Sequence, residues 1–308
     1  MSLIAGSIHA VQANGLYDMD ISVYHSQKAC VGPSVSSSSL RTILHQCPAV
    51  FWAHSDLNPH RCEPEDKKSL AFGRAAHTLV LGEPEFDKYF IVSPFDDFRS
   101  KEAREWRDAQ DRQIVKAEEL AIIQDMAAAQ KSNAQVMNAF TQGKPEQSLI
   151  WKDAETGVWL KARPDWLPNK PAERFITEYK TAESIKPAKL SRAVFDYGYE
   201  MQAAIGLDGV ETVLGVKPLG MAHVVQEKKP PYLVDCRLFT AEQIAWGRMQ
   251  YRKALRIFAD CLKTSEWPGY TTEPTFFDTP FYIQKAMENF TDAPGRGYDP
   301  SIDYSPTF

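Results

Sequence analysis

Apolar and polar positions along this chain alternate between helix-like and strand-like spacing. Residues 1–35 mix short apolar pieces with glycine and polar residues. Ser36-Ser-Ser-Ser39 then leads into Leu40-Arg-Thr-Ile-Leu-His45 ahead of Pro48, which predicts a capped helix. Ser69 to Leu81 repeats apolar residues at helical intervals and stops at Gly82, so a second helix is expected there with His77 inside it. Tyr89-Phe-Ile-Val92 predicts a short strand. Lys101 to Phe140 is rich in Ala, Glu and Gln at helical apolar spacing, which predicts two helices or one broken helix, ended by Gly143 and Pro145.

The next block changes period. Ser148-Leu-Ile-Trp151, a Glu155-Thr-Gly157 turn, Val158 to Trp166 and Phe175 to Tyr179 predict a β-meander. A helix is expected from Pro187 through Tyr199, Met201 and Gln202 toward Val213. Strands follow at Met221–Val225 and Tyr232–Phe239, joined through Pro230-Pro231, and then a helix from about Ala241 to Leu262. From about Trp267 the chain is rich in Pro, Thr, Asp and Tyr, and an irregular wrap or a loose tail is expected. Helices before, within and after a strand-rich block predict an α/β fold. No internal repeat is visible.

Composition narrows the class. A chain of 308 residues, 44% of them hydrophobic, can bury a full core. No apolar run approaches the ~20 residues of a membrane span, and the first residues lack the basic start of a secretory signal. A cytoplasmic protein without a membrane partner is expected. Cys30, Cys47, Cys62, Cys236 and Cys261 are scattered and never spaced C-x-x-C, which fits reduced thiols better than disulfides, structural zinc or an iron–sulfur cluster. The net charge of −5 excludes a chain coated in nucleic acid, so any DNA contact must be local. Between Lys161 and Arg192 basic residues outnumber acidic ones, and Lys161 and Arg163 are the candidate DNA contacts.

The acidic residues in that window carry the candidate chemistry. Asp165, in Arg163-Pro-Asp-Trp166, and Glu178, in Glu178-Tyr-Lys180, each follow an apolar stretch. Two paired strands, ~5 Å apart, could deliver both carboxylates to one point, where a hard divalent cation such as Mg²⁺ favours oxygen ligands. Glu178 and Lys180 share a strand face, so the ammonium would point at the water that attacks phosphorus. The plainer reading is that Asp, Glu and Lys are surface residues in a chance pattern. Their placement at two predicted strand ends argues against it. Trp151, Trp159 and Trp166 could stack on bases, but strand alternation makes core packing the better reading. Nucleophile elbow, zinc-helix, Walker and dinucleotide-binding motifs are all missing from the sequence, so no ATP-driven motor is expected.

The motifs Phe72-Gly-Arg-Ala-Ala-His77, Lys161-Ala-Arg-Pro-Asp-Trp166, Glu178-Tyr-Lys-Thr181 and Tyr199-Glu-Met-Gln-Ala-Ala204 occur in this order. Together they resemble the PD-(D/E)xK nuclease superfamily, and more closely the exonuclease domain of exodeoxyribonuclease VIII (RecE-type), often found in phages and prophages. The resemblance implies a restriction-endonuclease-like PD-(D/E)xK core, with a central mixed β-sheet flanked by helices. It implies a nuclease domain over residues 36–265 with a helical insertion at about 100–140, after a lead-in at 1–35 and before an extension at 266–308. His77, Asp165, Glu178 and the Tyr179 backbone carbonyl would be metal ligands, Lys180 would activate water, and Gln202 would hold the site or the DNA end. One departure is that a Tyr common four residues beyond the glutamine corresponds to Gly206.

The resemblance therefore implies a Mg²⁺-dependent exonuclease, with Mn²⁺ able to substitute, that degrades linear double-stranded DNA from its ends, 5′ to 3′, for recombination. Its expected partners are duplex ends, a single-strand-annealing protein and further copies of itself. Three rivals stand beside it: a structure-specific or single-strand nuclease of the same superfamily, a non-catalytic DNA-binding or assembly protein on the same fold, and an unrelated metabolic enzyme with a chance acidic cluster.

Overall fold

Two strands rich in β-branched and apolar residues, Ile176–Ala182 and Met221–Glu227, run side by side in register from Met221 opposite Ile176 to Glu227 opposite Ala182. The computed structural model describes residues 10–62, 68–80, 86–271 and 273–288. In chain order the elements are β1 (Gly15–Tyr17), α1 (Ile21–His25), β2 (Ser34–Ser36), α2 (Ser37–His45), α3 (Pro48–His54), α4 (Lys68–Val80), α5 (Phe86–Tyr89) and β3 (Phe90–Val92). They continue with α6 (Lys101–Asp108), β4 (Gln113–Val115), α7 (Ala117–Lys131), α8 (Ala134–Ala139), β5 (Gly143–Pro145), β6 (Ser148–Lys152), β7 (Trp159–Ala162) and β8 (Trp166–Pro168). The paired strands are β9 (Ile176–Ala182) and β10 (Met221–Glu227), with α9 (Pro187–Asp196) and α10 (Tyr199–Leu214) between them. Then come β11 (Val234–Leu238), α11 (Ala241–Thr264) and α12 (Phe281–Glu288).

A five-stranded sheet has the order β11-β10-β9-β8-β5, and a four-stranded sheet the order β1-β6-β7-β2. Both are mixed: β9 and β10 are parallel, as are β2 and β7, while the other pairs are antiparallel. The expected meander is thus divided. Strands β6 and β7 belong to one sheet and β8 and β9 to the other, with Pro164 in the bend between them, a residue without an N–H to offer a ladder. The segment expected to be a lead-in supplies both edges of the four-stranded sheet, β1 and β2.

Helices cover both faces of β9 and β10, which is why these strands are buried along most of their length. On one side Ile176 and Met221 join Leu40, Met201, Ile205, Leu255 and Phe258 from α2, α10 and α11. On the other, Tyr179 and Val224 meet Ala75 and Ala76 of α4 and Ile123 and Met126 of α7. The fold is therefore α/β, with a central mixed sheet between helical layers.

Local chemistry explains the helix limits. A capping box starts α11, where the Thr240 hydroxyl accepts the amide of Gln243 and the Gln243 side chain accepts that of Thr240. The single helix expected from Pro187 to Val213 is broken at Gly198, which takes the left-handed conformation at φ 61 and separates α9 from α10. Helices α10 and α11 approach so closely at Gly247 that a Cβ there would lie 2.2 Å from the Glu200 carbonyl oxygen.

The chain divides into a unit ending at Tyr270 and a second one from Thr271. Trp267, placed by the sequence in an irregular wrap, belongs to the first: it stacks on Trp52 at 4.6 Å, and the Pro268 carbonyl accepts the Ala49 amide at 3.1 Å. The second unit contains helix α12, so the expected tail is partly helical. Leu81, Gly82 and residues 289–308 lie outside the described residues.

The close approach at Gly247 has a measurable consequence. Gly247→Ala must push backbone apart, which is expected to cost about 1–3 kcal/mol. Urea unfolding should show a lower midpoint at an unchanged slope. An unchanged midpoint would show that the two helices can separate freely.

Candidate active site

Alternation along β9 puts Ile176, Glu178 and Lys180 on one face and Thr177, Tyr179 and Thr181 on the other. Ile176 enters the core, and Glu178 follows it inward to 2% exposure. There its Oε2 accepts two bonds, from Lys180 Nζ at 2.8 Å and from Gln202 Nε2 of α10 at 2.9 Å. Its other oxygen has no hydrogen bond among the described residues.

Asp165 arrives by a different route from the one its strand context suggested. It sits in the bend before β8, and β8 and β9 are in register only at Trp166 opposite Thr177. Beyond that pair the Tyr179 amide has no partner strand on this edge, and Asp165 Oδ2 accepts it at 2.6 Å. A side-chain carboxylate thus takes the place of a ladder carbonyl. Asp165 Oδ1 meets His77 Nε2 of α4 at 2.9 Å.

The third acid was not visible in the sequence. Glu146, in the bend between β5 and β6, has its Oε1 3.5 Å from the same His77 Nε2. Arg163 Nε donates to its Oε2 at 2.5 Å, and its own amide donates to the Asp165 carbonyl at 3.3 Å. Its φ of 53 is in the left-handed region, which is uncommon and costly for a residue with a side chain. His77, Glu146 and Asp165 each offer a ligand atom within 4.8 Å of the others. Glu178 stands beside this trio, coupled to Asp165 by charge.

The electrostatics reflect crowding. Burial, with Asp165 adding to it, pushes the Glu178 carboxyl up to about 8 against the pull of Lys180. Burial and Asp165 also raise Glu146. Burial opposes the charge on Asp165 as well, but His77, Lys180 and the Tyr179 amide outweigh it and hold its pKa below the usual range. Burial would lower Lys180, and Glu178 and Asp165 reverse that and raise it. One imidazole nitrogen and several crowded carboxylate oxygens are a donor set that fits a divalent cation such as Mg²⁺ or Mn²⁺.

The structure brings His77, Asp165, Glu178, Lys180 and Gln202 together. Tyr179 lies between them, its ring buried and its hydroxyl bonded to Gln226 at 2.8 Å. A cleft of about 270 Å³ opens over Glu178, Lys180 and Gln202. Gly206 also lines it, and a Cβ there would lie 2.5 Å from Met221 Cε, so this helix face has no room for a tyrosine without repacking.

Lys161 is a correction. It is 3% exposed, and its ammonium donates to the Tyr24 and Ser26 carbonyls at 2.7 and 3.0 Å, so it holds the N-terminal segment and does not reach a DNA phosphate. Arg163 lines the cleft, but its guanidinium is occupied by Glu146, the Met19 carbonyl and Ser148, which makes it a support for Glu146. The exposed positive charge of this window is at Lys170, before β9, and on or just before α9, at Lys186, Lys189 and Arg192.

The model of a family described as "PDDEXK-like domain of unknown function (DUF3799)" matches residues 36–279. No curated protein matches the chain. Among solved structures it is similar to one described as a "Putative exonuclease" from Eubacterium rectale, at 14% sequence identity and a TM-score of 0.58, over 89% of this chain and 99% of that one. At this identity the likeness is one of fold, and it fits the restriction-endonuclease-like arrangement of a mixed sheet flanked by helices.

Three outcomes follow from this geometry. Lys161→Met removes the donor from the buried Tyr24 carbonyl and the part-buried Ser26 carbonyl and is expected to cost about 1–3 kcal/mol in urea unfolding, while the salt dependence of any DNA binding stays as in the parent. Glu146→Gln should weaken Mn²⁺ binding by roughly tenfold or more in calorimetric titration. Because the carboxyls of Glu146 and Glu178 are raised and ligands must be deprotonated, parent affinity should increase from pH 6.5 to 8.5. Equal affinity in parent and Glu146→Gln would remove Glu146 from the ligand set.

Proposed function

The chain belongs to the PDDEXK-like family, and from that premise we propose that it is a divalent-metal-dependent nuclease releasing nucleotides from the ends of linear duplex DNA. The observation that carries this reading is the convergence of His77 Nε2 on Asp165 Oδ1 and Glu146 Oε1, beside the Glu178–Lys180 pair. His77, Glu146, Asp165 and Glu178, with the Tyr179 carbonyl, would hold Mg²⁺ or Mn²⁺. The cation supplies the charge that draws in a phosphodiester and stabilises its transition state.

This chain's own residues do the rest. Lys180, kept protonated by Glu178 and Asp165, presents a fixed ammonium at the cleft to orient the attacking water and stabilise charge as it develops. Gln202 shares Glu178 Oε2 with Lys180 and so fixes how the carboxylate turns. Arg163 performs the same service for Glu146. The exonuclease preference, the 5′ to 3′ direction and a recombination role beside a single-strand-annealing partner in the cytoplasm are supported by the motif resemblance to RecE-type enzymes, as is a phage or prophage source. The similar fold described as a "Putative exonuclease" agrees with that preference.

End-labelled linear duplex, closed circular duplex and single strands, each incubated with protein and Mg²⁺ or Mn²⁺, test the proposal. Release from linear duplex alone, abolished by EDTA, is expected. Cutting of closed circles would make it an endonuclease, and digestion in excess EDTA would remove the metal. Lys180→Met should lower single-turnover cleavage ~10²- to 10⁴-fold while Mn²⁺ and DNA still bind. Cleavage at the parent rate by a folded Lys180→Met protein would reduce Lys180 to a charge partner of Glu178.

A further inference from the structure

We propose that Tyr197 is a stacking ledge for one unpaired nucleobase of the strand being cleaved, so that the site grips a frayed end by a base as well as by phosphate. The inference rests on the nuclease reading above. Tyr197 is 56% exposed and lines the same cleft as Glu178, Lys180 and Gln202. An aromatic ring left in water beside a polar site forgoes the stabilisation that burial would give it.

The ring is held firmly. Tyr197 stacks on Tyr199 at 5.9 Å between centroids and 24° between planes, and Tyr199 stacks on His223 at 5.6 Å and 15°. Phe239 closes the column edge-on against His223 at 5.1 Å. His223 is buried, with both ring nitrogens lacking a hydrogen-bond partner, so it serves here as a flat ring in a stack. Three parallel rings therefore run from the core to the surface.

The backbone is built to present them. Gly198, left-handed at φ 61, lies between the two tyrosines, and Arg41 Nη1 pins the bend by donating to the Tyr197 carbonyl at 2.5 Å. Arg41 also packs on Gly198, where a Cβ would come within 3.0 Å of its Cδ. The column touches the chemistry at its middle, since Lys180 Nζ lies 5.8 Å from the centre of the Tyr199 ring. A base laid on the open side of Tyr197 would extend the column by one ring. Every base has a π-face, so such a contact tolerates any sequence, as an end-degrading enzyme requires.

Fluorescence anisotropy in EDTA, with labelled duplex carrying a short single-stranded end, tests this without turnover. The end is either normal or abasic, and the proteins are parent, Tyr197→Phe and Tyr197→Ala, with urea midpoints confirming the fold. Base–aromatic stacking of ~1–3 kcal/mol, at 1.4 kcal/mol per tenfold, predicts that the parent prefers the base-bearing end by about 5- to 150-fold. Tyr197→Phe should keep that preference and Tyr197→Ala should lose it. Equal affinity of the parent for both ends, or a preference retained by Tyr197→Ala, would overturn the ledge. Nucleotide release from linear duplex with Mn²⁺, read separately, distinguishes the two ideas: preference without release defeats the nuclease and keeps the ledge, release without preference does the reverse, and absence of both preference and release defeats both.

Discussion

Three carboxylates packed around one imidazole and one ammonium constrain everything near them. Taking such groups out of water costs several kcal/mol each unless partners replace the lost hydration. The surrounding fold supplies those partners one at a time. The Tyr179 amide and His77 take Asp165, Arg163 takes Glu146, and Lys180 with Gln202 takes Glu178. Even so the protonation balance stays unsettled, with Glu178 and Glu146 raised while Asp165 is lowered. Carboxylates crowded closely enough to raise one another's pKa are relieved by a bound cation, which favours their ionised, ligating form.

That constraint also explains why the two sheets part where they do. Continued pairing of β8 with β9 would have placed a main-chain carbonyl opposite the Tyr179 amide. The bend at Pro164 and Asp165 substitutes a carboxylate, which pairs the amide through one oxygen and offers the other to the site. The bend at Glu146 lies against it through the Glu146 amide and the Asp165 carbonyl. Two interruptions of regular structure, each costly alone, therefore support one another.

What could be read in advance follows the same division. Asp165, Glu178 and Lys180 were legible because acids and a lysine at the ends of apolar strand-like stretches break the usual alternation. His77 and Gln202 lie within helices, where nothing about their own spacing marks them, and only the resemblance picked them out. Glu146 was hidden because its role depends on a left-handed bend after Pro145, and a glutamate with positive φ has no sequence signature. Lys161 was misread although the pattern contained the answer. It shares a strand face with Trp159, and once that tryptophan is assigned to the core the lysine two residues on must follow it inward. The break at Gly198 was missed because one glycine in a helical pattern is ordinarily tolerated.

Helix α10 ties the site to the stability of the molecule. Met201 and Ile205 sit in the core while Gln202, between them in sequence, reaches Glu178. Its first turn is anchored by a polar chain in which Gln250 of α11 donates to the buried Glu200 at 2.9 Å and pairs with the exposed His45 of α2 at the same distance. Such a chain adds little net stability over apolar packing, but it fixes how far α10 can slide or rotate against its neighbours. Rotation would carry Gln202 away from Glu178 and free the carboxylate to turn. The glycine at position 247 serves the same end by letting α11 rest on the backbone of Glu200. Core packing and site geometry are thus set by one helix, and a substitution at either of its interfaces acts on both.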